Sequence, residues 1–262
     1  MDLGIAGRRA LITGATGGLG RATAKLLAEE GVSLILSDVD GDALEELAKT
    51  YDAVVCAADL SKEDGVTALK HTAEVEGGTD IVLHLAGITG AKGDPLKMTD
   101  EDFNVCWQTN FMSAVRLSRA FVPDMVSNGW GRLVFTTSEN AVQPYVDETV
   151  YNTSKAALLS FLKSLSLAYG PTGVRVNAIA PAFIETPMTD KMMQDRADER
   201  DETFEDAVES FLEVERPYLT LKRRGKPEEV AAVAAFLASN HASFVNGAAY
   251  RVDGGAVAAI NT

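Results

Sequence analysis

Short apolar runs recur along the chain and alternate with longer stretches whose apolar residues fall three or four positions apart. The runs are Arg9–Thr13, Val32–Ser37, Val54–Ala57, Asp80–Leu85, Arg132–Thr137, Val174–Ile179 and Ala248–Val252. A strand with one wet face would alternate apolar and polar residues. These runs are apolar at nearly every position, which predicts strands covered on both faces, as in a parallel sheet. Helical spacing marks Gly20–Glu30, Asp42–Lys49, Phe111–Val126, Tyr151–Tyr169 and Pro227–Leu237. Alternation of this kind predicts an α/β chain: a three-layer, doubly wound fold with a seven-stranded parallel sheet and right-handed crossovers. No internal repeat or linker-like stretch breaks residues 1–262, so they are read as one domain.

The stretch Asp190–Glu215 departs from this pattern. It holds eleven acidic and three basic residues, a net −8 of the chain's −14. Within it Phe204, Val208, Phe211 and Leu212 fall at i, i+4, i+7 and i+8, one apolar stripe of an amphipathic helix. Thr203, with Asp206 three residues on, is a capping signal for that helix. The stretch reads either as a solvated surface helix or as a mobile lid whose stripe closes over a substrate.

Candidate chemistry begins where the first strand ends. Thr13-Gly14-Ala15-Thr16-Gly17-Gly18-Leu19-Gly20 leads directly into a helix. Glycines allow a tight turn and a close backbone approach to a pyrophosphate, whose charge the free N–H groups of the helix start favour. The spacing G-x-x-x-G-x-G differs from the commoner G-x-G-x-x-G, but its place after the first strand points to a dinucleotide-binding Rossmann fold. Asp38 ends the second strand, eighteen residues past Gly20. A carboxylate there accepts hydrogen bonds from both adenosine ribose hydroxyls and repels a 2′-phosphate. Asp38-Val39-Asp40-Gly41 is also good turn chemistry, yet with the glycine loop in place the ribose role is preferred. No basic residue flanks Asp38, so NAD is expected in preference to NADP.

A second cluster follows the fifth strand. That strand finishes at Thr136-Thr137-Ser138, and thirteen residues beyond Ser138 comes Tyr151-Asn152-Thr153-Ser154-Lys155. On a helix, Tyr151 and Lys155 share one face as an i, i+4 pair. Free tyrosine, with a pKa near ~10, is a poor base at neutral pH. A nearby ammonium stabilises the phenolate and lets tyrosine exchange a proton with a substrate oxygen. Ser138, at a strand's carboxyl end where open α/β sheets place ligands, can hold the same oxygen.

Composition narrows the partners. A net charge of −14 argues against nucleic acid or an anionic membrane surface, since either needs a basic footprint. Cys56 and Cys106 are too few for a disulfide framework and lack metal-ligand spacing; both read as small buried hydrophobes, and no metal is expected. Met1-Asp2-Leu3-Gly4 lacks the basic and apolar regions of a signal peptide, and no apolar run approaches a membrane span. A cytoplasmic protein acting on a small molecule is expected.

In this order, over nearly the whole chain, the motifs resemble the short-chain dehydrogenase/reductases in their common single-domain form. Thr13-Gly14-x-x-x-Gly18-x-Gly20 matches that family's cofactor loop, and Asp59-Leu60 its acid-plus-apolar pair that contacts adenine. Asn110 in Thr109-Asn110-Phe111, with Ser138, Tyr151 and Lys155, matches its catalytic tetrad. Arg175-Val176-Asn177 with Pro181, Arg224-Gly225-Lys226-Pro227-Glu228-Glu229-Val230 and Val252-Asp253-Gly254-Gly255 match later signatures. The resemblance implies an oxidoreductase that exchanges a hydride between nicotinamide and a secondary alcohol or ketone. It makes Tyr151 the general acid/base, with Lys155 lowering its pKa and holding the nicotinamide ribose. Ser138 would orient the substrate oxygen, and Asn110 would position a water that relays protons. The implied cofactor site comprises Gly14, Thr16, Gly17, Gly18, Leu19, Gly20, Asp38, Asp59, Leu60, Ala86, Gly87, Tyr151, Lys155, Pro181, Ile184 and Thr186. A homotetramer, or a homodimer, through the helices Phe111–Val126 and Tyr151–Tyr169 is implied as well.

Two positions depart from the family pattern. His84-Leu85-Ala86-Gly87 stands where the family has N-N-A-G; Ala86 and Gly87 keep the close backbone approach, and His84 reads as a packed strand residue. Pro181-Ala182 replaces Pro-Gly, which a methyl tolerates provided φ stays negative. Asp190–Glu215 falls where the family carries its substrate loop, which favours the lid reading. Thr89, Asn140, Gln143, Tyr145, Phe183 and the stripe Phe204/Val208/Phe211 are the expected substrate-facing residues. Asn140 and Gln143 suggest a sugar, polyol or hydroxy acid, although either amide can instead serve loop backbone. A 3-oxoacyl-type ketoreductase is the alternative, but Asp124–Gly131 offers no basic residue to an acidic carrier. A non-catalytic NAD-sensing or scaffold protein is the reading of another class, and such relatives are expected to lack Tyr151.

Overall fold

Successive strand residues point to opposite faces of a sheet, so a sheet covered on both sides must be apolar at every position. The computed structural model describes residues 2–260; Met1 of the opening segment and residues 261–262 of the predicted domain lie outside the described residues. Its strands are β1 Arg9–Thr13, β2 Ser33–Asp38, β3 Val54–Ala57, β4 Ile81–His84, β5 Gly131–Thr136, β6 Val174–Pro181 and β7 Ala249–Val252. They form one parallel sheet in the order β3-β2-β1-β4-β5-β6-β7. On β1, Ala10 and Ile12 enter one core and Leu11 the other. Ile35 is divided from Leu34 and Leu36 in the same way, and Val82 from Ile81 and Leu83.

The helices are α1 Gly18–Glu29, α2 Gly41–Tyr51, α3 Glu63–Val75, α4 Asp100–Trp107, α5 Ser113–Ser127, α6 Thr149–Tyr169, α7 Pro187–Arg200, α8 Phe204–Val214 and α9 Pro227–Ala238. Leu27 of α1, Leu44 of α2 and Val230 of α9 cover one face. Leu69 of α3, Phe121 of α5 and Leu162 of α6 cover the other. This is the three-layer, doubly wound arrangement. Strand order reverses between β1 and β4, and the carboxyl ends of these two strands flank the crevice where such sheets bind ligands. Among the described residues, no helix is long and apolar enough to cross a membrane.

Two elements differ from the sequence expectation. The predicted helix Phe111–Val126 has an upstream half: α4 and a wide π turn, Gln108–Met112, precede α5. Only Cys106 of α4 is buried, so that helix has no apolar stripe to betray it. Thr99 nonetheless caps it, its Oγ1 accepting from Asp102 N at 3.2 Å while Asp102 Oδ2 accepts from Thr99 N at 2.8 Å. The acidic stretch Asp190–Glu215 is two helices, α7 and α8, reversed at Asp201 in the left-handed region (φ 53°). Thr203 caps α8 as its spacing predicted, with Oγ1 accepting from Asp206 N at 3.1 Å. The hairpin rests on a third, smaller core of Phe183, Met193, Phe211, Leu212, Leu219 and Ala256.

Candidate active site

A cleft of about 1380 Å³ runs along the carboxyl ends of the strands, roofed on one side by α7 and α8. The glycine loop forms one wall. Gly14 has φ +66°, and a Cβ there would lie 2.7 Å from Ala86 N. At Gly20 a Cβ would lie 2.2 Å from Gly14 O, and at Gly18 it would lie 2.9 Å from Thr186 Cγ2. Side chains are therefore excluded where backbone N–H groups face the cleft at the start of α1, and that bare cradle fits the pyrophosphate of a dinucleotide. Thr16, Gly17, Leu19, Asp38, Asp59, Leu60, Ala86, Gly87, Pro181, Ile184 and Thr186 line the same cleft.

Asp38 serves the loop as well as the cleft. Its Oδ2 accepts from Thr16 N at 3.1 Å and from Thr16 Oγ1 at 2.7 Å, while Oδ1 accepts from Val39 N. Asp59 is held by the N–H and hydroxyl of Ser61 and by Lys62, which keep its carboxyl below the usual range.

The two departures from the family pattern are accommodated. His84 is fully enclosed, with Nδ1 2.8 Å from Thr13 Oγ1 and Nε2 2.8 Å from Ser113 Oγ. Ser113 Oγ donates to Thr109 O, so it accepts from Nε2–H, and Nδ1 accepts from the Thr13 hydroxyl. Thr13 Oγ1 in turn accepts from Ala86 N at 3.4 Å. Burial, with the Lys155 charge adding to it, pushes the imidazole down to about 3, so it is a neutral strut rather than a base. Ala182 keeps a negative φ and donates its N–H to Val252 O at 3.4 Å.

Ser138, Tyr151 and Lys155 converge on this cleft from the end of β5 and from α6. Lys155 is buried; its Nζ donates to Thr136 O at 2.8 Å and lies 5.5 Å from the centre of the Tyr151 ring. Burial pulls its pKa down to about 8. A Cβ on Gly87 would meet Asn110 Oδ1 at 3.1 Å and Lys155 Nζ at 3.3 Å, so that glycine brings all three together. Asn110 lies behind the cleft in the π turn. Its Oδ1 accepts from Ile88 N and its Nδ2 donates to Ile88 O, both at 2.9 Å, which pins the β4 end to α4–α5. The expectation that Lys155 lowers the Tyr151 pKa is reversed in this arrangement. Burial first, and the Glu139 carboxylate second, push the Tyr151 hydroxyl upward, against a weaker downward pull from Ser138.

Sequence reasoning passed over several charged residues that line the same cleft, among them Glu139, Glu148, Lys92 and Arg216. Glu148 takes Lys92 Nζ at 2.6 Å, Asn140 Nδ2 at 2.6 Å and Arg216 Nη2 at 3.5 Å. Burial would raise its pKa, but the Lys92 ammonium, Arg216 and Asn140 outweigh it and hold the carboxyl below the usual range. Glu139 is less well served. It is 3% exposed, takes Ser138 Oγ–H at 2.8 Å, and reaches Arg216 only at 3.8 Å. Burial pushes it up to about 7 despite those partners. Arg216 is 8% exposed, and its Nε has no hydrogen-bond partner among the described residues. The adjacency of Glu139 to Ser138 was a usable signal in the sequence; nothing local announces Arg216, which arrives from beyond α8.

The expected substrate-facing residues divide. Thr89, Asn140, Phe183 and Phe211 line the cleft, and the Phe183 and Phe211 rings are 4.7 Å apart. Phe204 and Val208 pack beneath them in the third core. Gln143 and Tyr145 fall outside the lining. Gln143 Nε2 donates to Ala256 O at 2.7 Å and its Oε1 accepts from Ala258 N, so the amide is taken up by backbone. Tyr145 supports Arg216 from behind. Asn140 spends its amide on Glu148 and Asn152 Oδ1.

A family model described as enoyl-(acyl carrier protein) reductase matches residues 14–257. The uncharacterized oxidoreductase YvrD of Bacillus subtilis (strain 168) is 33% identical over 261 residues, covering 98% of this chain and 99% of its own. Nodulation protein G of Rhizobium sp. (strain N33) is 35% identical over 254 residues, covering 96% and 97%. Among solved structures, L-sorbose reductase from Gluconobacter frateurii, complexed with NADPH and L-sorbose, superposes with a TM-score of 0.92 at 34% identity. That match covers 99% of this chain and 100% of that one. A levodione reductase superposes at 0.88 with 33% identity, over 97% and 100%.

Proposed function

The chain belongs to the short-chain dehydrogenase/reductase family, and from that premise we propose an NAD-dependent enzyme that interconverts a secondary alcohol and its ketone on a polyhydroxylated small molecule. The observation that carries the reading is the convergence of Ser138, Tyr151 and Lys155 on one cleft with the glycine cradle. Family members use nicotinamide cofactors. Bound here, the nicotinamide would supply the hydride chemistry, taking the carbinol hydrogen with its electron pair in oxidation and returning it in reduction. Gly14, Thr16, Gly17, Gly18, Leu19 and Gly20 would hold the pyrophosphate, Asp38 the adenosine ribose, Asp59 and Leu60 the adenine. Ala86, Gly87, Lys155, Pro181, Ile184 and Thr186 would hold the nicotinamide half.

The residues of the chain handle the proton and the orientation. Tyr151 Oη exchanges a proton with the substrate oxygen, Ser138 Oγ fixes that oxygen, and Lys155, with Nζ 5.5 Å from the centre of the Tyr151 ring, would hold a bound ribose. Asn110, behind Lys155, orders a relay water. Phe183 and Phe211 exclude bulk water from the reacting carbon.

Support for a polyhydroxylated substrate comes from Glu139, Glu148, Lys92 and Arg216. Two acids and two bases lining one wall offer many donors and acceptors with little net charge, which suits neutral hydroxyls better than a fatty chain. The similar L-sorbose reductase, solved with L-sorbose bound, favours the same direction. The family model's description keeps an acyl substrate as a second reading, but the chain's net charge of −14 opposes docking of an acidic carrier. NAD over NADP rests on Asp38, even though the sorbose reductase was solved with NADPH. A homotetramer or homodimer through α4–α6 is supported by the exposed Val105 and Leu167, and light scattering tests it.

A screen for NAD reduction across polyols, sugars, hydroxy acids and steroid-type alcohols tests the whole reading. Turnover confined to simple apolar alcohols would remove the polyhydroxylated class, and turnover of acyl thioesters would establish the second reading.

A further inference from the structure

We propose that Ser138 and Glu139 form a second proton path to the reacting oxygen, with Glu139 acting through Ser138 to match the site to an alcohol or to a ketone. The inference rests on the oxidoreductase reading above. Its geometry is local. Ser138 Oγ donates to Glu139 Oε2 at 2.8 Å, and both residues line the cleft where Tyr151 and Lys155 meet. Other acceptors for that hydroxyl, Asn140 Oδ1 at 3.1 Å and Pro181 O at 3.4 Å, are more distant.

Hydrogen-bond arithmetic on one oxygen gives the two states. A serine hydroxyl has one proton and two lone pairs. Asn140 N donates to one of those lone pairs at 3.3 Å in either state. An ionised Glu139 is an acceptor only, so it draws the Ser138 proton, and the remaining lone pair of Ser138 receives the O–H of a substrate alcohol. A protonated Glu139 has a proton to give. It donates to Ser138 Oγ, fills the second lone pair, and turns the Ser138 proton toward a ketone oxygen.

The reaction converts one state into the other with the atoms balanced. In oxidation, the carbinol C–H leaves with its electron pair to the nicotinamide cofactor and the carbonyl forms. Along this second path the alcohol proton passes to Ser138 Oγ as the Ser138 proton passes to Glu139 Oε2. Reduction runs the same transfers backward. Tyr151, which lines the same cleft, keeps its own proton exchange with that oxygen, and the Ser138–Glu139 path runs beside it.

Every neighbour of Glu139 bears on its ionisation. Tyr151 faces it from α6, Tyr145 and Glu148 from the segment before that helix, and Arg216 from beyond α8. Glu148 is the better-paired acid and stays ionised, which leaves Glu139 as the carboxyl able to gain and lose a proton near neutrality. Two acids in environments that separate their pKa values commonly divide such roles.

The test compares wild type, Glu139→Gln and Ser138→Ala in two ways. First, ¹³C-carboxyl glutamate labelling follows the resonance that Glu139→Gln removes. It is expected to titrate well above the ordinary glutamate range, and higher still in Ser138→Ala, where its hydrogen-bond donor is gone. Titration in the ordinary range overturns the proposal without any turnover being measured. Second, D-sorbitol oxidation and L-sorbose reduction are followed against pH. Wild-type oxidation should rise and reduction fall through pH of about 7. Glu139→Gln, which can neither take nor give that proton, should lose the limb in both directions, with at least roughly tenfold of the oxidation rate above it and of the reduction rate below it. An unchanged limb in the variant overturns the proposal. If wild type turns over neither sugar, the polyhydroxylated reading fails, and the carboxyl titration still decides the role of Glu139.

Discussion

The guanidinium carbon of Arg216 stands 3.5 Å from the centre of the Tyr145 ring. Arg216 follows α8, and Tyr145 lies in the segment that enters the helix of Tyr151 and Lys155. A cation seated on an aromatic face in a desolvated site contributes on the order of 1–2 kcal/mol, so this contact clasps the α7–α8 hairpin to the rim of the cleft.

Arg216→Met keeps the volume and removes the clasp. KM for the substrate should rise and kcat fall together, while cofactor Kd changes by less than about twofold. Phe211→Ala removes the apolar side of the same contact and should act in the same direction. Hydrogen exchange over residues 187–214 is the check. Protection that deepens only with cofactor and substrate both present fits a closing lid; equal protection in the free protein identifies a fixed wall. In that case Phe211→Ala should cost ~3–5 kcal/mol of stability with no selective kinetic effect.

Asp38→Asn should narrow the discrimination between NAD and NADP. Its amide oxygen can still accept from Thr16, as Asp38 does now, while the charge that opposes a 2′-phosphate is gone. NADP affinity is expected to rise by at least about tenfold, or ~1.4 kcal/mol, in fluorescence titrations. Asp38→Ala should release Thr16 as well and weaken both cofactors. Equal wild-type affinities for the two would remove the basis for assigning NAD.

Tyr151→Phe should lower turnover on the order of 10²–10⁴-fold with cofactor binding nearly intact, since only the hydroxyl is lost. Lys155→Ala should weaken cofactor binding and turnover together, because Lys155 Nζ also ties α6 to the carbonyl of Thr136 at 2.8 Å. Near-normal kcat in Tyr151→Phe would assign the proton to another group.

Stability should respond to pH through Glu139. Its folded pKa, about 7, lies above the ordinary 4.5 of an exposed glutamate, so the folded state binds this proton more tightly than the unfolded state. The stability that the bound proton contributes is full below the unfolded value and is lost as pH rises through the folded one. Thermal unfolding of wild type and Glu139→Gln at pH 5 and pH 8 measures this directly. The variant should gain on wild type at the higher pH, and parallel curves would rule out a raised carboxyl.

The strands and the ends of the site that lie close in sequence were legible without coordinates. Short continuous apolar runs predicted strands of a doubly covered sheet, and glycine spacing, Asp38, Ser138 and the Tyr151/Lys155 pair carry their chemistry in local order. Thr203 announced α8 because a helix cap is a contact between residues three apart. What required the tertiary structure was whatever depends on distant segments meeting. Arg216 reaches Glu139 and Glu148 only because the α7–α8 hairpin folds back across the strand ends. Gln143 reads as substrate-facing in sequence, yet its amide is consumed by the backbone at Ala256 and Ala258, more than a hundred residues on. The direction of the Tyr151 shift was decided in the same way, since desolvation and the field of a neighbouring carboxylate are properties of enclosed space. Periodicity records which face of an element is buried; it does not record which charges are buried beside it.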